Sequence, residues 1–268
     1  FVELIALACR YLKPKIIHTP TNALMPDRIH DFAQKSIAVI NAQCPGTQFS
    51  IKPSIDGVGE KHDKIRGVPG NFQKLEETIR LLKTLESEHP NFHLELGTVI
   101  SKFNINDLDE IEDYVHSQDV QSYRNEIAEQ RSEFFNLGDP ITPSAEEYET
   151  LMRRFTQKIQ DNISAKKGMT KMTESLRLTY YDLAAKILKT NTQVIPCYGG
   201  ISNVHINANG EVWPCCVLGY NRPLGNLRDA GYDFNKIWFS QQARQVRKYI
   251  REKNCACPLA NQAYSNIL

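Results

Sequence analysis

The sequence predicts an α/β fold, a parallel sheet flanked by helices, followed by a small α+β domain. Three observations carry this expectation. Short β runs alternate with amphipathic helices through the first half of the chain, the pattern of βαβ units. A helical stretch without strands follows. The chain after Pro196 then changes character, with a hairpin signal at Asn209-Gly210 and five of the seven cysteines. The expected domains are residues 1–190 and 191–268.

The elements are expected in this order. Phe1, Leu4, Ile5, Ala8, Tyr11 and Leu12 share one face of an opening helix over 1–12. A β run at Lys15–Thr19, a helix at 27–43 and a second β run at Phe49–Ile55 follow. Phe72, Leu75, Ile79 and Leu82 mark the next helix, and 92–100 is a third, apolar β run. Leu108, Ile111 and Val115 line another helix, and 120–127 is read as a fourth strand. Four strands are few for a closed barrel. The chain also opens on Phe1, directly into an amphipathic helix, and a native start usually has a polar lead-in and a cap. The expectation is a partial (β/α) barrel whose first units lie upstream.

Residues 144–190 are expected to be helical. Ser144 and Glu147 after Pro143 have the spacing of a capping box. Two stripes, Tyr148, Leu151, Phe155, Ile159 and Met172, Leu176, Tyr180, Leu183, Ile187, read as core-facing surfaces. Asn209-Gly210 between alternating residues predicts a type I′ hairpin turn, because both central positions need positive φ. Phe239, Ala243, Val246 and Ile250 mark the last helix, just before Cys255 and Cys257.

Composition narrows the function. A net charge of +1 with interspersed signs speaks against a nucleic-acid groove or a polybasic membrane patch. No apolar run approaches the roughly 18 residues that span a bilayer, and the start carries no signal-peptide pattern. A long chain with an odd number of thiols and no export signal favours a cytosolic metal site over a disulfide framework.

Cys197 lies just before the hairpin and Cys215 just after it, so a returning ribbon can bring both to one end. Cys255 and Cys257 follow a helix that can pack back on that ribbon. Two thiols from a hairpin base and two from a distant loop can form a four-thiolate cage. Both Zn²⁺ and iron–sulfur clusters suit it. Zinc sites usually show Cys-x₂₋₄-Cys pairs, whereas the nearest pair here is Cys-x-Cys, which favours an iron–sulfur cluster; inert buried thiols are the plainer reading, and the clustering of five cysteines weakens it. Cys9 and Cys44 sit on helical faces and read as structural.

The stretch from Cys197 through Gly210 to Cys215 resembles the opening of the SPASM domain, the auxiliary-cluster module at the C-terminus of many radical S-adenosylmethionine (radical SAM) enzymes. Gly225-Asn226-Leu227-Arg228, Ile237-Trp238 and Cys255-x-Cys257 are similar to later parts of that domain. No Cys-x-x-Cys-x₅-Cys-x₃-Cys segment follows Cys215, so the resemblance implies the shorter twitch form with one auxiliary [4Fe–4S] cluster. Its ligands would be Cys197, Cys215, Cys255 and Cys257. A further family cysteine has no counterpart around Ala260 and Ala263, which leaves Cys216 as an alternative ligand.

Ser54-Ile55-Asp56-Gly57 with His62-Asp63-x-x-Arg66-Gly67 resembles the fourth strand and adjoining loop of a radical SAM barrel. Thr19-Pro20-Thr21-Asn22 resembles the end of the third. The resemblance implies Ser54 and Asp56 at the ribose of SAM, Arg66 near its methionine carboxylate, and Asn22 as a further contact. A guanidinium suits a carboxylate. The plainer readings are a strand-end cap for Ser54, a turn for Asp56-Gly57 and a pair with Asp63 or Glu60 for Arg66. Glu126 and Arg131 are further candidates to face the cavity, or else form a surface ion pair.

The family holds its catalytic [4Fe–4S] cluster in a Cys-x₃-Cys-x₂-Cys loop, and no such spacing occurs here. The expectation is therefore a fragment, inactive alone, of an enzyme whose catalytic cluster belongs to missing N-terminal residues. The whole enzyme would make a 5′-deoxyadenosyl radical from S-adenosylmethionine to modify a peptide or small-molecule substrate. A flavodoxin or ferredoxin would supply electrons in the cytoplasm, with no nucleic-acid or membrane partner. A zinc-stabilised binding module and a non-catalytic electron-transfer or partner-binding relative are the alternatives.

Overall fold

The structure is a computed structural model. It describes residues 1–120, 122–164, 168–258 and 265–267, with backbone alone at 162, 163 and 168–174. Met172, Ala260 and Ala263 fall outside the described side chains. The chain packs as two units, Phe1–Glu126 and Ile127–Leu268. No helix among the described residues is long and apolar enough to cross a membrane.

In the first unit the order is α1 (Val2–Tyr11), β1 (Ile16–Thr21), α2 (Pro26–Gln43), β2 (Gln48–Pro53), α3 (Glu60–Arg66), α4 (Asn71–Glu88), β3 (Phe92–Ile100), α5 (Leu108–Ser117) and β4 (Ser122–Ile127). The four strands form one sheet in the order β1-β2-β3-β4. β1 pairs parallel with β2, and β2 parallel with β3. The α/β class expected from the alternation is the class observed. Period-two alternation gives the sheet two different faces. Phe49 and Ile51 of β2 and Phe92, Leu94 and Leu96 of β3 are buried on one face. The apolar stripes of the helices bury too, including Ile37 and Ile40 of α2 and Leu75, Ile79 and Leu82 of α4.

Cys9 of α1 and Cys44 at the end of α2 are joined in a disulfide, their Cα atoms 5.5 Å apart. The sequence leaves this pair unmatched, because only the packing of α1 against α2 brings the two positions together. The other five cysteines form no disulfide.

The second unit begins with α6 (Ala145–Ile163) and α7 (Gly168–Thr190), which pack on each other. The capping box forms as expected. The Glu147 backbone N–H donates to Ser144 Oγ at 3.2 Å, and the Ser144 N–H donates to Glu147 Oε2 at 2.8 Å. A three-stranded sheet follows, β5 (His205–Ile206), β6 (Glu211–Trp213) and β7 (Gly225–Asn226), with α8 (Phe234–Trp238) and α9 (Gln241–Arg251).

The hairpin β5–β6 is antiparallel, but its turn is not the expected type I′. Gly210 has φ of +84°, while Asn209 is not in the positive-φ region. Asn207 closes a longer loop, its Oδ1 accepting the N–H groups of Asn209 and Glu211. This local side-chain bond replaces the second left-handed residue.

Candidate functional site

The first unit positions the residues expected at SAM along the C-terminal ends of its strands. Ser54 directly follows β2; its N–H donates to the Thr21 carbonyl at 2.9 Å, and it bridges to Gly97 of β3. The loop then turns sharply into α3. Gly57 makes this turn possible, since a Cβ there would lie 2.7 Å from the His62 backbone nitrogen. His62 is fully buried, and its Nδ1 accepts the Asp56 N–H at 3.2 Å. Burial, with Arg66 nearby, holds the His62 imidazole below its ordinary pKa.

Asp56 and Arg66 meet each other. Arg66 Nη2 lies 2.7 Å from Asp56 Oδ2, with side chains 24% and 7% exposed. Asp56 Oδ1 accepts the Val99 N–H at 2.9 Å, and its carbonyl accepts from Asn104. Arg66 thus pairs with neither Asp63 nor Glu60. Asp63 instead accepts the N–H groups of Gly70 and Phe72 at the start of α4, which lowers its pKa through those backbone bonds, that of Phe72 foremost. Asn22 lies at the end of β1, its Oδ1 accepting the Leu24 N–H. With Thr19 and Thr21 it lines a cavity of about 520 Å³ that also borders α1 and α2. The structure sets Ser54 and Asp56 on the loop after β2, brings Arg66 from the end of α3 onto Asp56, and sets Asn22 at a neighbouring strand end.

The sheet face opposite the helices carries ionisable side chains that sequence reasoning passed over. His18 Nδ1 is 2.7 Å from Ser50 Oγ and 3.8 Å from Glu95 Oε1. Arg124 Nε is 3.1 Å from Glu95 Oε2, and Lys52 Nζ is 3.6 Å from Glu126 Oε1. Burial, partly opposed by Glu95, holds His18 below its ordinary pKa. Glu126 was a sequence candidate; its neighbours on the face were not. The signal was available as the polar half of the alternation in β2 and β3.

In the second unit four of the five remaining thiols gather at one core and one small cavity. Cys215 belongs to the core of Val212, Leu224, Ile237, Val246 and Ile250, and Cys197 and Cys255 pack against that core. Cys197, Cys255 and Cys257 line one small cavity of about 40 Å³ with Tyr180 and Pro258. Backbone N–H groups point at two of the sulfurs, Gly199 to Cys197 Sγ and Leu218 to Cys215 Sγ, both at 3.4 Å. Burial pushes the Cys215 thiol up to about 12 and that of Cys255 to about 11. Among the described residues no three His, Cys, Asp or Glu side chains are close enough to hold one metal ion. A four-iron cluster takes one thiolate at each iron, so its ligands need not crowd a single point. The donor set, four soft sulfurs with N–H groups directed at two of them, fits such a cluster.

Cys216 stands apart from that cavity. Its thiol hydrogen-bonds to Arg131, near Glu133 and Glu129, and burial raises its pKa against the pull of the guanidinium. Arg131 lies 2.7 Å from Glu133 and covers the Phe134 ring at 4.2 Å.

Comparison with protein families matches residues 197–258 to SPASM, an iron–sulfur cluster-binding domain. No curated protein matches the chain. Among solved structures, anSMEcpe with bound AdoMet and the Kp18Cys peptide is 12% identical with a TM-score of 0.55, over 92% of this chain and 74% of that one. The same protein with AdoMet alone is 11% identical with a TM-score of 0.56, over 98% and 84%. SuiB of Streptococcus suis is 16% identical with a TM-score of 0.56, over 92% of this chain and 54% of its own. At such identities the likeness is one of fold. Residues 197–258 are thus a SPASM-type iron–sulfur domain, in a chain with the α/β fold of the radical SAM enzymes that carry one.

Proposed function

We propose that the chain is the C-terminal part of a radical SAM enzyme, with residues 1–190 as partial barrel and connector and 191–268 as a twitch-type domain. One auxiliary [4Fe–4S] cluster would be held by Cys197, Cys215, Cys255 and Cys257. The observation that carries this is the convergence of these thiols on one core and one small cavity. Two four-thiolate clusters would need eight cysteines, and five lie outside the disulfide, which supports a single cluster. Cys216, turned to Arg131, is left out of the ligand set.

Ser54, Arg66 and Asn22 would contact SAM, with Asp56 fixing the Arg66 guanidinium by their ion pair. A carboxylate-anchored guanidinium keeps further N–H donors for a second carboxylate. When bound, SAM and a reduced catalytic cluster supply a radical that abstracts hydrogen; that cluster's Cys-x₃-Cys-x₂-Cys loop is not in this sequence, so the chain alone would not cleave SAM. This chain's part is to bind SAM, shape the substrate cavity and hold the auxiliary cluster. A peptide substrate is favoured over a small molecule, because anSMEcpe was solved with a peptide bound. Electrons would come from a flavodoxin or ferredoxin in the cytoplasm.

Anaerobic purification, reconstitution with iron and sulfide, and metal analysis test the cluster. About four iron and four sulfide per chain are expected. Cys215→Ala should lose the cluster's visible absorbance. Zinc without sulfide, or unchanged absorbance in the variant, overturns the assignment.

A further inference from the structure

The four cysteines assigned to the auxiliary cluster are not held alike. Cys197 and Cys215 sit at the base of the β5–β6 hairpin, where the Gly200 N–H donates to the Pro214 and Asn203 carbonyls at 2.9 and 3.1 Å. Cys255 and Cys257 follow α9 in a stretch, 255–258, that forms neither helix nor strand. Outside regular structure, two sulfurs stay in place only through ties made to other parts of the chain.

Two side-chain hydrogen bonds supply such ties, and each meets the backbone one residue beyond a sulfur. Tyr180, on α7 and 1% exposed, donates its hydroxyl to the Pro258 carbonyl at 3.0 Å, across 78 residues. Asn266 Oδ1 accepts the Tyr198 N–H at 2.9 Å, across 68. Tyr180, Pro258 and Asn266 line the same cavity of about 40 Å³ as Cys197, Cys255 and Cys257. The Tyr180 ring packs on that of Tyr181, centroids 5.7 Å apart, so its hydroxyl has a set direction. Packing alone would be served by phenylalanine, whereas the hydroxyl gives the Pro258 carbonyl a donor.

We propose that Tyr180 and Asn266 are positioning residues of the auxiliary cluster. Together they clasp the segment after α9 against the hairpin base and hold Cys255 and Cys257 at one cavity with Cys197. The inference rests on the cluster assignment above and adds to it two residues that carry no sulfur. Each acts through the cysteine next to the backbone group it binds. Without either bond the segment opens more often, which exposes Cys255 and Cys257 in the metal-free chain and iron in the loaded one.

Thiol alkylation tests the clasp without metal, so its failure is distinguishable from failure of the cluster assignment. The full chain, reduced and freed of metal, is treated with iodoacetamide, and each cysteine-containing peptide is followed by mass spectrometry. Tyr180→Phe and Asn266→Leu are each expected to speed alkylation of Cys255 and Cys257 about five-fold, the factor that one net hydrogen bond confers. Cys215, which belongs to the core, should keep its wild-type rate. Asn266→Asp retains an acceptor for the Tyr198 N–H and should label no faster than wild type. After reconstitution, Tyr180→Phe is expected to take up the same iron and sulfide as wild type and to release iron to a chelator about five-fold faster. Acceleration of Cys215 along with the others, wild-type alkylation of Cys255 and Cys257 in both variants, or unchanged iron release overturns the proposal and leaves Tyr180 as a packing residue. Zinc without sulfide would instead overturn the cluster assignment, with the clasp decided by alkylation alone.

Discussion

The ion pair between Asp56 and Arg66 offers a severe test of how the strand-end loop is built. Asp56→Ala removes a carboxylate that is 7% exposed and faces a guanidinium 24% exposed at 2.7 Å. Breaking a fully buried pair on one side costs about 3–5 kcal/mol. Partial access of water to Arg66 brings the cost towards the lower end. The Val99 N–H loses its acceptor as well, which adds about 1 kcal/mol. The expected loss is about 3–4 kcal/mol, a fall of about 10 °C in the unfolding midpoint. Asp56→Asn keeps an acceptor for Val99 and should lose about 1 kcal/mol less. Differential scanning calorimetry of wild type, Asp56→Ala, Arg66→Ala and the double variant gives the coupling directly. A folded Asp56→Ala protein that melts within about 2 °C of wild type, a loss of no more than about 1 kcal/mol, would refute the reasoning. It would show that solvent, not Asp56, satisfies Arg66.

Gly57→Ala should cost about 1–3 kcal/mol by forcing the loop off α3, because the new methyl would lie 2.7 Å from the His62 backbone nitrogen; chemical denaturation reads it. His62 gives a pH dependence. Its pKa is lowered in the folded chain by burial, so the unfolded chain takes up the proton first as pH falls. Stability should therefore decline as pH drops through about 6.5 and level off below the lowered native value; His62→Gln should flatten that slope between about pH 7.5 and 5.5, His18 contributing the remainder. Cys216→Ser should retain iron and sulfide after reconstitution, since its thiol faces Arg131; loss of the cluster would place Cys216 among the ligands.

The elements most legible in the sequence are those whose signal is local. The Ser144–Glu147 capping box needs only four neighbouring residues, and both of its hydrogen bonds form. The strands of the parallel sheet follow from short apolar runs between helices. What escapes is decided by packing across long separations. Nothing near Cys9 or Cys44 announces the pairing that α1 and α2 impose across 35 residues. Arg66 has acidic neighbours one turn away at Asp63 and two turns away at Glu60, yet the tertiary turn at Gly57 gives it Asp56. The Asn209-Gly210 turn shows a local signal misread: Asn207, three residues before the glycine, supplies a side-chain acceptor and lengthens the loop.

The sheet face opposite the helices is a different case, since its pattern was present and only half used. In β2, Phe49 and Ile51 alternate with Ser50 and Lys52; in β3, Leu94 and Leu96 alternate with Glu95 and Gly97. The apolar half of that alternation identifies the strands, because it is what packs beneath the helices. The polar half answers a separate question. A surface strand beside water would show the same alternation, so the pattern alone does not show that these charges are covered. Burial in the folded sheet does: the Glu95 side chain is 10% exposed and that of Lys52 18%. Lys52 and Glu95 are therefore not ordinary solvated residues. Their burial is offset by partners, Glu126 for Lys52 and Arg124 and His18 for Glu95.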